Sequence, residues 1–138
     1  MKMLAIEMVQ SQKYGAILDF VISGRSLLKE IERREYDYVP RLGSEMIPTD
    51  VETREVLLLE KADDLPNGRA ALYICPCGDY DCGIISASIT REDKHIIWSD
   101  ISYENEADDE LIPLDRLGPY RFEEKQYRQA IMGEHNRD

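Results

Sequence analysis

A chain of 138 residues with 43% hydrophobic side chains is long enough for one domain with a real core, and it needs none of the disulfide staples that become near-obligatory only below about 40 residues. Seventeen basic against twenty-eight acidic side chains leave a formal charge of −11, which repels a phosphate backbone and argues against direct nucleic-acid binding. No apolar stretch reaches the roughly 18–20 residues that span a bilayer, and three cysteines behind an opening MKMLAIEMVQ without the pattern of a signal peptide lead us to expect a reducing, cytoplasmic setting.

The first elements read as a hairpin and a helix. MLAIEMV alternates Leu4, Ile6 and Met8 against Ala5, Glu7 and Val9, the period of a strand. After QSQKYG, the run AILDFVI places Ala16, Leu18, Phe20 and Ile22 on one face, which predicts a hairpin. GRSLLKEIERRE predicts a short helix capped by Ser26, with a stripe of Leu27, Leu28 and Ile31 and an ion pair from Glu30 to Arg34. Residues 36–50 hold prolines, a glycine and no sustained period, and are expected to be irregular. VETREVLLLEK, residues 51–61, suits a buried strand or a short buried helix equally. DDLPNGR predicts a loop with an Asn67-Gly68 turn.

AALYI, IISASIT and HIIWSDISY then predict three strands in an antiparallel meander. In the third, simple alternation sets Ile97, Ile101 and Tyr103 on one side and Ile96 and Trp98 on the other, so both faces should be covered and Trp98 should lie beneath a helix. FEEKQYRQAIMG predicts a terminal helix with Tyr127, Ala130 and Ile131 inward, Glu124 paired to Arg128, and Gly133 as its stop. The expectation is one α+β domain over residues 1–138, an antiparallel β-sheet made of the N-terminal hairpin plus a central meander, with helices packed on one face.

YICPCGDYDCG, residues 73–83, concentrates all three cysteines at the link between two predicted strands. Gly78 and Gly83 each follow a cysteine, the arrangement that lets backbone amides turn toward a thiolate. The preferred reading is a glycine-shaped turn that uses cysteine as a small, buried side chain. A zinc site at Cys75, Cys77 and Cys82 stands second. A structural site needs four ligands, so His95, Asp79 or Asp81 would have to complete it. A redox dithiol ranks third, because no helix N-terminus is predicted nearby to lower a thiol pKa.

These same residues carry a resemblance. LYICPCGDYDCGIISASI followed by IIWSDISYEN resembles a group of small bacterial proteins with a C-G-D-x-x-C-G core after a strand and a Trp-rich strand behind it. The resemblance covers about residues 64 to 105. It implies that Cys77, Gly78, Asp79, Cys82 and Gly83 form one structural unit, and it implies no settled activity. Where that group usually begins with C-x2-C, this chain has a single Pro76 between Cys75 and Cys77.

No G-x-S-x-G, P-loop, G-x-G-x-x-G or H-E-x-x-H pattern is present, so a non-catalytic role is expected. From Asp100 to Asp115 seven acids, Asp100, Glu104, Glu106, Asp108, Asp109, Glu110 and Asp115, stand without an intervening Lys or Arg, and Tyr103 and Tyr120 accompany them. A solvated acidic loop explains the run most simply. Its functional counterpart is a surface for a basic protein partner, steered by complementary charge and anchored by the two tyrosines. By analogy, the first functional reading is an immunity protein that neutralises a basic, nuclease-type bacterial toxin and carries no cofactor. A small zinc-binding regulatory or stress protein is the alternative, and a thiol oxidoreductase the third.

Overall fold

In the computed structural model, which describes residues 1–42, 50–63, 65, 67–77, 82–105 and 108–132, strands β1 (Leu4–Gln10) and β2 (Ala16–Ile22) form the expected hairpin, in register from Leu4 opposite Ile22 to Gln10 opposite Ala16. A two-residue strand β3 (Arg25–Ser26) adds to β2 and leads into helix α1 (Leu27–Arg33). Ser26 caps that helix, its Oγ accepting the Lys29 N–H at 3.2 Å, and Leu27, Leu28 and Ile31 are its buried stripe. Strand β4 (Val39–Pro40) follows. The ambiguous run resolves as helix α2 (Asp50–Leu57), because its buried positions, Thr53, Val56 and Leu57, recur at the spacing of one helix face.

The meander is strands β5 (Ala70–Ile74), β6 (Ile84–Glu92) and β7 (His95–Asn105), continued by β8 (Asp108–Pro113) and, beyond a link, β9 (Tyr120–Glu123). The six-stranded sheet runs β4-β5-β6-β7-β8, with β9 also paired to β7, and every ladder is antiparallel. Helix α3 (Glu124–Met132) ends the described chain and packs on β1, β7 and β9. The fold is a single α+β unit. No helix among the described residues is long and apolar enough to cross a membrane.

Three expectations change. Simple alternation along β7 fails because Ser88 pairs with Ser99 while Ser86 pairs with Ser102, so β7 carries one extra residue, centred on Asp100 at φ +51°. This bulge reverses the parity beyond it. Ile101 and Tyr103 therefore join Ile96 and Trp98 on the core side. The acidic segment from Asp100 to Asp115 is not a loop but the end of β7 followed by strand β8. Finally, Glu124 pairs with Arg91 at 2.7 Å and Arg128 with Glu60 at 3.0 Å, not with each other. The stop proposed at Gly133 lies outside the described residues.

The core joins the two sheets. Trp98 is 0% exposed, with the rings of Phe20, Phe122 and Tyr127 edge-on around it, and its indole N–H donates to the Tyr127 hydroxyl at 3.1 Å. It lies beneath α3 as expected, but the opposite face of β7 is less covered, with Ile97 only half-buried. Asp19 ties the small sheet to the large one from the buried side. Its carboxylate accepts the Tyr73 hydroxyl at 2.5 Å, the Ser26 hydroxyl at 2.6 Å and the Leu28 N–H at 3.1 Å.

Candidate metal centre

The ladder between β5 and β6 closes at Ile74 opposite Ile84, so residues 75–83 form the connection between two buried strands. Cys75 leaves the end of β5, Cys77 follows after the single Pro76, and Cys82 returns the chain to Gly83 and β6. This closure brings three sulfurs from eight residues of chain into one triangle. The Cys77 thiol donates to Cys75 Sγ at 3.0 Å, Cys77 and Cys82 Sγ are 3.4 Å apart, and all three sulfurs lie within 4.8 Å of one another. No disulfide joins them, since a bonded pair would stand about 2.05 Å apart. Cys75 is half-buried; Cys77 and Cys82 face solvent.

Crowding of the sulfurs favours the protonated form of Cys82. Hydrogen bonds with the Cys77 and Cys75 thiols push the Cys82 thiol up to about 12, with smaller contributions from partial desolvation and from the charge its neighbours would carry. A cation placed among them reverses that preference, because it attracts the thiolates that otherwise repel one another.

Gly83 explains the return of the chain. It sits at φ +110°, and a Cβ there would come within 2.6 Å of both the Tyr38 and Tyr103 hydroxyl oxygens. Only glycine fits both the conformation and the approach. Those two tyrosines belong to a stack with Tyr36, its ring centroids 5.1 to 6.3 Å apart, that walls the thiol loop. Tyr38 donates to the Cys82 carbonyl at 3.2 Å, and burial, with the neighbouring Tyr103 hydroxyl, raises its phenol well above the ordinary value. Asn105 Nδ2 donates to the Tyr103 hydroxyl at 3.1 Å. The sequence reading missed this wall. Its one local trace is the Tyr36-x-Tyr38 spacing, which sets both rings on the same side of an extended segment.

The structure does not bring His95 to the thiols. Cys82 lies beside the Ile84–Glu104 end of the β6–β7 ladder, and His95 pairs with Glu92 at the other, so at about 3.3 Å per residue the nine steps along β7 from His95 to Glu104 put roughly 30 Å between them. His95 Nδ1 instead lies 2.8 Å from the Asp93 carbonyl and 3.2 Å from an Arg121 guanidinium nitrogen. Asp79 and Asp81, with Gly78, lie outside the described residues. Among the described residues the site thus offers three sulfur ligands, one short of the four that close a structural zinc site.

The acidic set is divided. Glu104 is engaged inward: its carboxylate pairs with Arg69 at 3.4 Å, accepts Asn67 Nδ2 at 3.0 Å and accepts the Ser86 hydroxyl. Asp100 sits on the bulge, and its carbonyl accepts from Arg69 and from the Ser102 hydroxyl. Tyr103 belongs to the tyrosine wall. Asp108, Asp109 and Glu110 run along β8, where Leu111 and Ile112 are 41% and 48% exposed, and Glu106 lies outside the described residues. Asp115 is exposed and its carbonyl accepts from Arg34 at 2.8 Å; Tyr120 is half-buried on β9 opposite Trp98. Among the described side chains, Glu104 is therefore engaged by internal partners while Asp115 faces solvent.

Compared with protein-family models, with curated proteins and with solved structures, the chain has no significant match.

Proposed function

We propose that this protein binds a thiophilic metal ion, zinc foremost, through Cys75, Cys77 and Cys82, and that the site is regulatory and exchangeable. The observation that carries the reading is the sulfur triangle. Tetrahedral zinc with Zn–S bonds of about 2.3 Å sets its sulfurs roughly 3.8 Å apart, and edges of 3.0 and 3.4 Å within a 4.8 Å limit reach that spacing by sub-ångström shifts of side chains on a surface loop. Two of the three cysteines face solvent, and a net charge of −11 favours the approach of a cation. With three protein thiolates, the fourth position falls to Asp79 or Asp81, to water, or to a small ligand. A redox dithiol is less well supported, because the Cys82 thiol is pushed up rather than down.

The test is metal analysis of protein purified under reductant, with cobalt titration followed by its thiolate charge-transfer absorption. One ion per chain is expected, reduced to a small fraction by Cys77→Ser. Substoichiometric metal in the parent, or loading unaffected by the substitution, would overturn the reading.

A second reading rests on β8. That strand carries Asp108, Asp109 and Glu110 beside the exposed Leu111 and Ile112, a combination of charge and apolar anchors suited to a basic protein such as a toxin domain. Its test is binding of a cognate basic partner by a variant with all three acids changed to Ser. Undiminished affinity would set the reading aside.

A further inference from the structure

A cavity of about 460 Å³ opens where the segment before β1, the β2–β3 turn and the link between β8 and β9 converge, a size within the roughly 300–1,000 Å³ typical of small-molecule sites. Three of its lining residues are cations, Lys2, Arg25 and Arg116. Among the described residues none of these three side chains enters an ion pair or a side-chain hydrogen bond. The carboxylate in the lining, Glu30, does not neutralise them, because it is held by Arg34 at 3.3 Å and Arg33 at 3.6 Å. A chain of net charge −11 therefore gathers three uncommitted positive charges around one concavity. All three are solvent-exposed, and like charges gathered at one opening favour the entry of an anion.

The three cations come from separate, anchored parts of the fold. The Lys2 N–H donates to the Arg121 carbonyl at 2.8 Å, and Arg25 pairs with Ile22 in the β2–β3 ladder. Arg116 is held at φ +65°, a left-handed conformation that is unfavourable for a non-glycine residue, in the turn closed by the Leu117 N–H on the Leu114 carbonyl at 3.3 Å. Beside them the lining turns apolar, with Leu117 and Pro119, and Tyr120 completes it. Burial and the Glu30 carboxylate raise the Tyr120 phenol, so it remains a donor at neutral pH.

We propose that this cavity binds a phosphorylated small molecule, its phosphate among Lys2, Arg25 and Arg116 and its organic part against Leu117 and Pro119. A phosphate monoester is doubly charged near neutral pH, and its oxygens match guanidinium donors in pairs. A nucleic-acid strand does not suit the site, since its further phosphates would meet the acidic remainder of the molecule.

Isothermal titration with AMP and with inorganic phosphate tests the assignment on the intact chain. Saturable one-to-one binding of AMP is expected, at least as tight as that of phosphate and weakened by added salt. Arg25→Ala together with Arg116→Ala should weaken it at least tenfold, in line with the ~1.5–3 kcal/mol of a hydrogen bond to a charged group, without lowering the melting temperature of the unliganded protein. Restoring the charge with Lys at both positions should recover part of the affinity. Cys77→Ser should leave AMP binding intact, which separates this site from the metal centre. Absence of saturable binding by either probe, or AMP affinity that survives the double alanine variant, would overturn the proposal. Phosphate binding tighter than AMP would overturn the role given to Leu117 and Pro119.

Discussion

At the scale of single residues, Gly83 and Asp19 carry more consequence than their size suggests. Gly83→Ala adds a methyl group where two tyrosine hydroxyls stand 2.6 Å away and forces a side chain into a left-handed backbone at φ +110°. We expect a loss of about 1–3 kcal/mol in denaturant unfolding together with weaker cobalt binding, because the same glycine returns the chain from Cys82 to β6. An unchanged midpoint would mean that the tyrosine wall yields freely. Asp19 acts through protons. Burial, only partly offset by hydrogen bonds from Ser26, Tyr73 and Leu28, raises its carboxyl above the ordinary range. The folded state thus keeps this proton to a higher pH than the unfolded chain does, and between the two pKa values stability falls as pH rises. The contribution is complete below the unfolded value near 4 and is lost as pH climbs through the folded one. Asp19→Asn should remove that part of the slope when urea midpoints are compared from acid to neutral pH, and parallel curves for parent and variant would contradict it.

At the scale of elements, β7 organises the molecule. It pairs with β6 along one side and with both β8 and β9 along the other, and Trp98 at its centre touches rings from β2, β9 and α3. Trp98→Ala should therefore cost about 3–5 kcal/mol, read from chemical denaturation, and native tryptophan emission should be blue-shifted. Solvent-like emission would contradict the packing. Strand periods, the cap at Ser26 and the stripe of α1 were legible in the sequence because each depends on residues a few positions apart. The bulge at Asp100 was not, since one extra residue leaves no mark on a run that reads apolar in either register. The partners of Glu124 and Arg128 were hidden for a related reason, as Arg91 and Glu60 arrive from distant elements. The same distinction divides the candidate site: the cysteines announce themselves by spacing, whereas their tyrosine wall exists only because β4 lies beside β5 and Tyr103 follows the bulge.

At the scale of the whole molecule, the proposed metal centre lies outside what holds the fold together. None of the three cysteines belongs to the apolar core, which runs from Leu4 through Trp98 to Ile131. Stripping the metal with a chelator should leave far-UV circular dichroism and a cooperative melt intact, and lower the melting temperature only by the linkage free energy, about 2.7 kcal/mol for an ion present at a hundredfold its Kd. Collapse of secondary structure on chelation would instead make the ion structural, as in zinc fingers. The two borders of the six-stranded sheet have a further effect. On one side stands β4, two residues long and ending in Pro40; on the other the margin of β7 is shared between β8, six residues bearing three acids, and β9, four residues long. Among the described residues these borders are short or acidic in sequence, two of the features by which edge strands discourage a second copy from adding a strand.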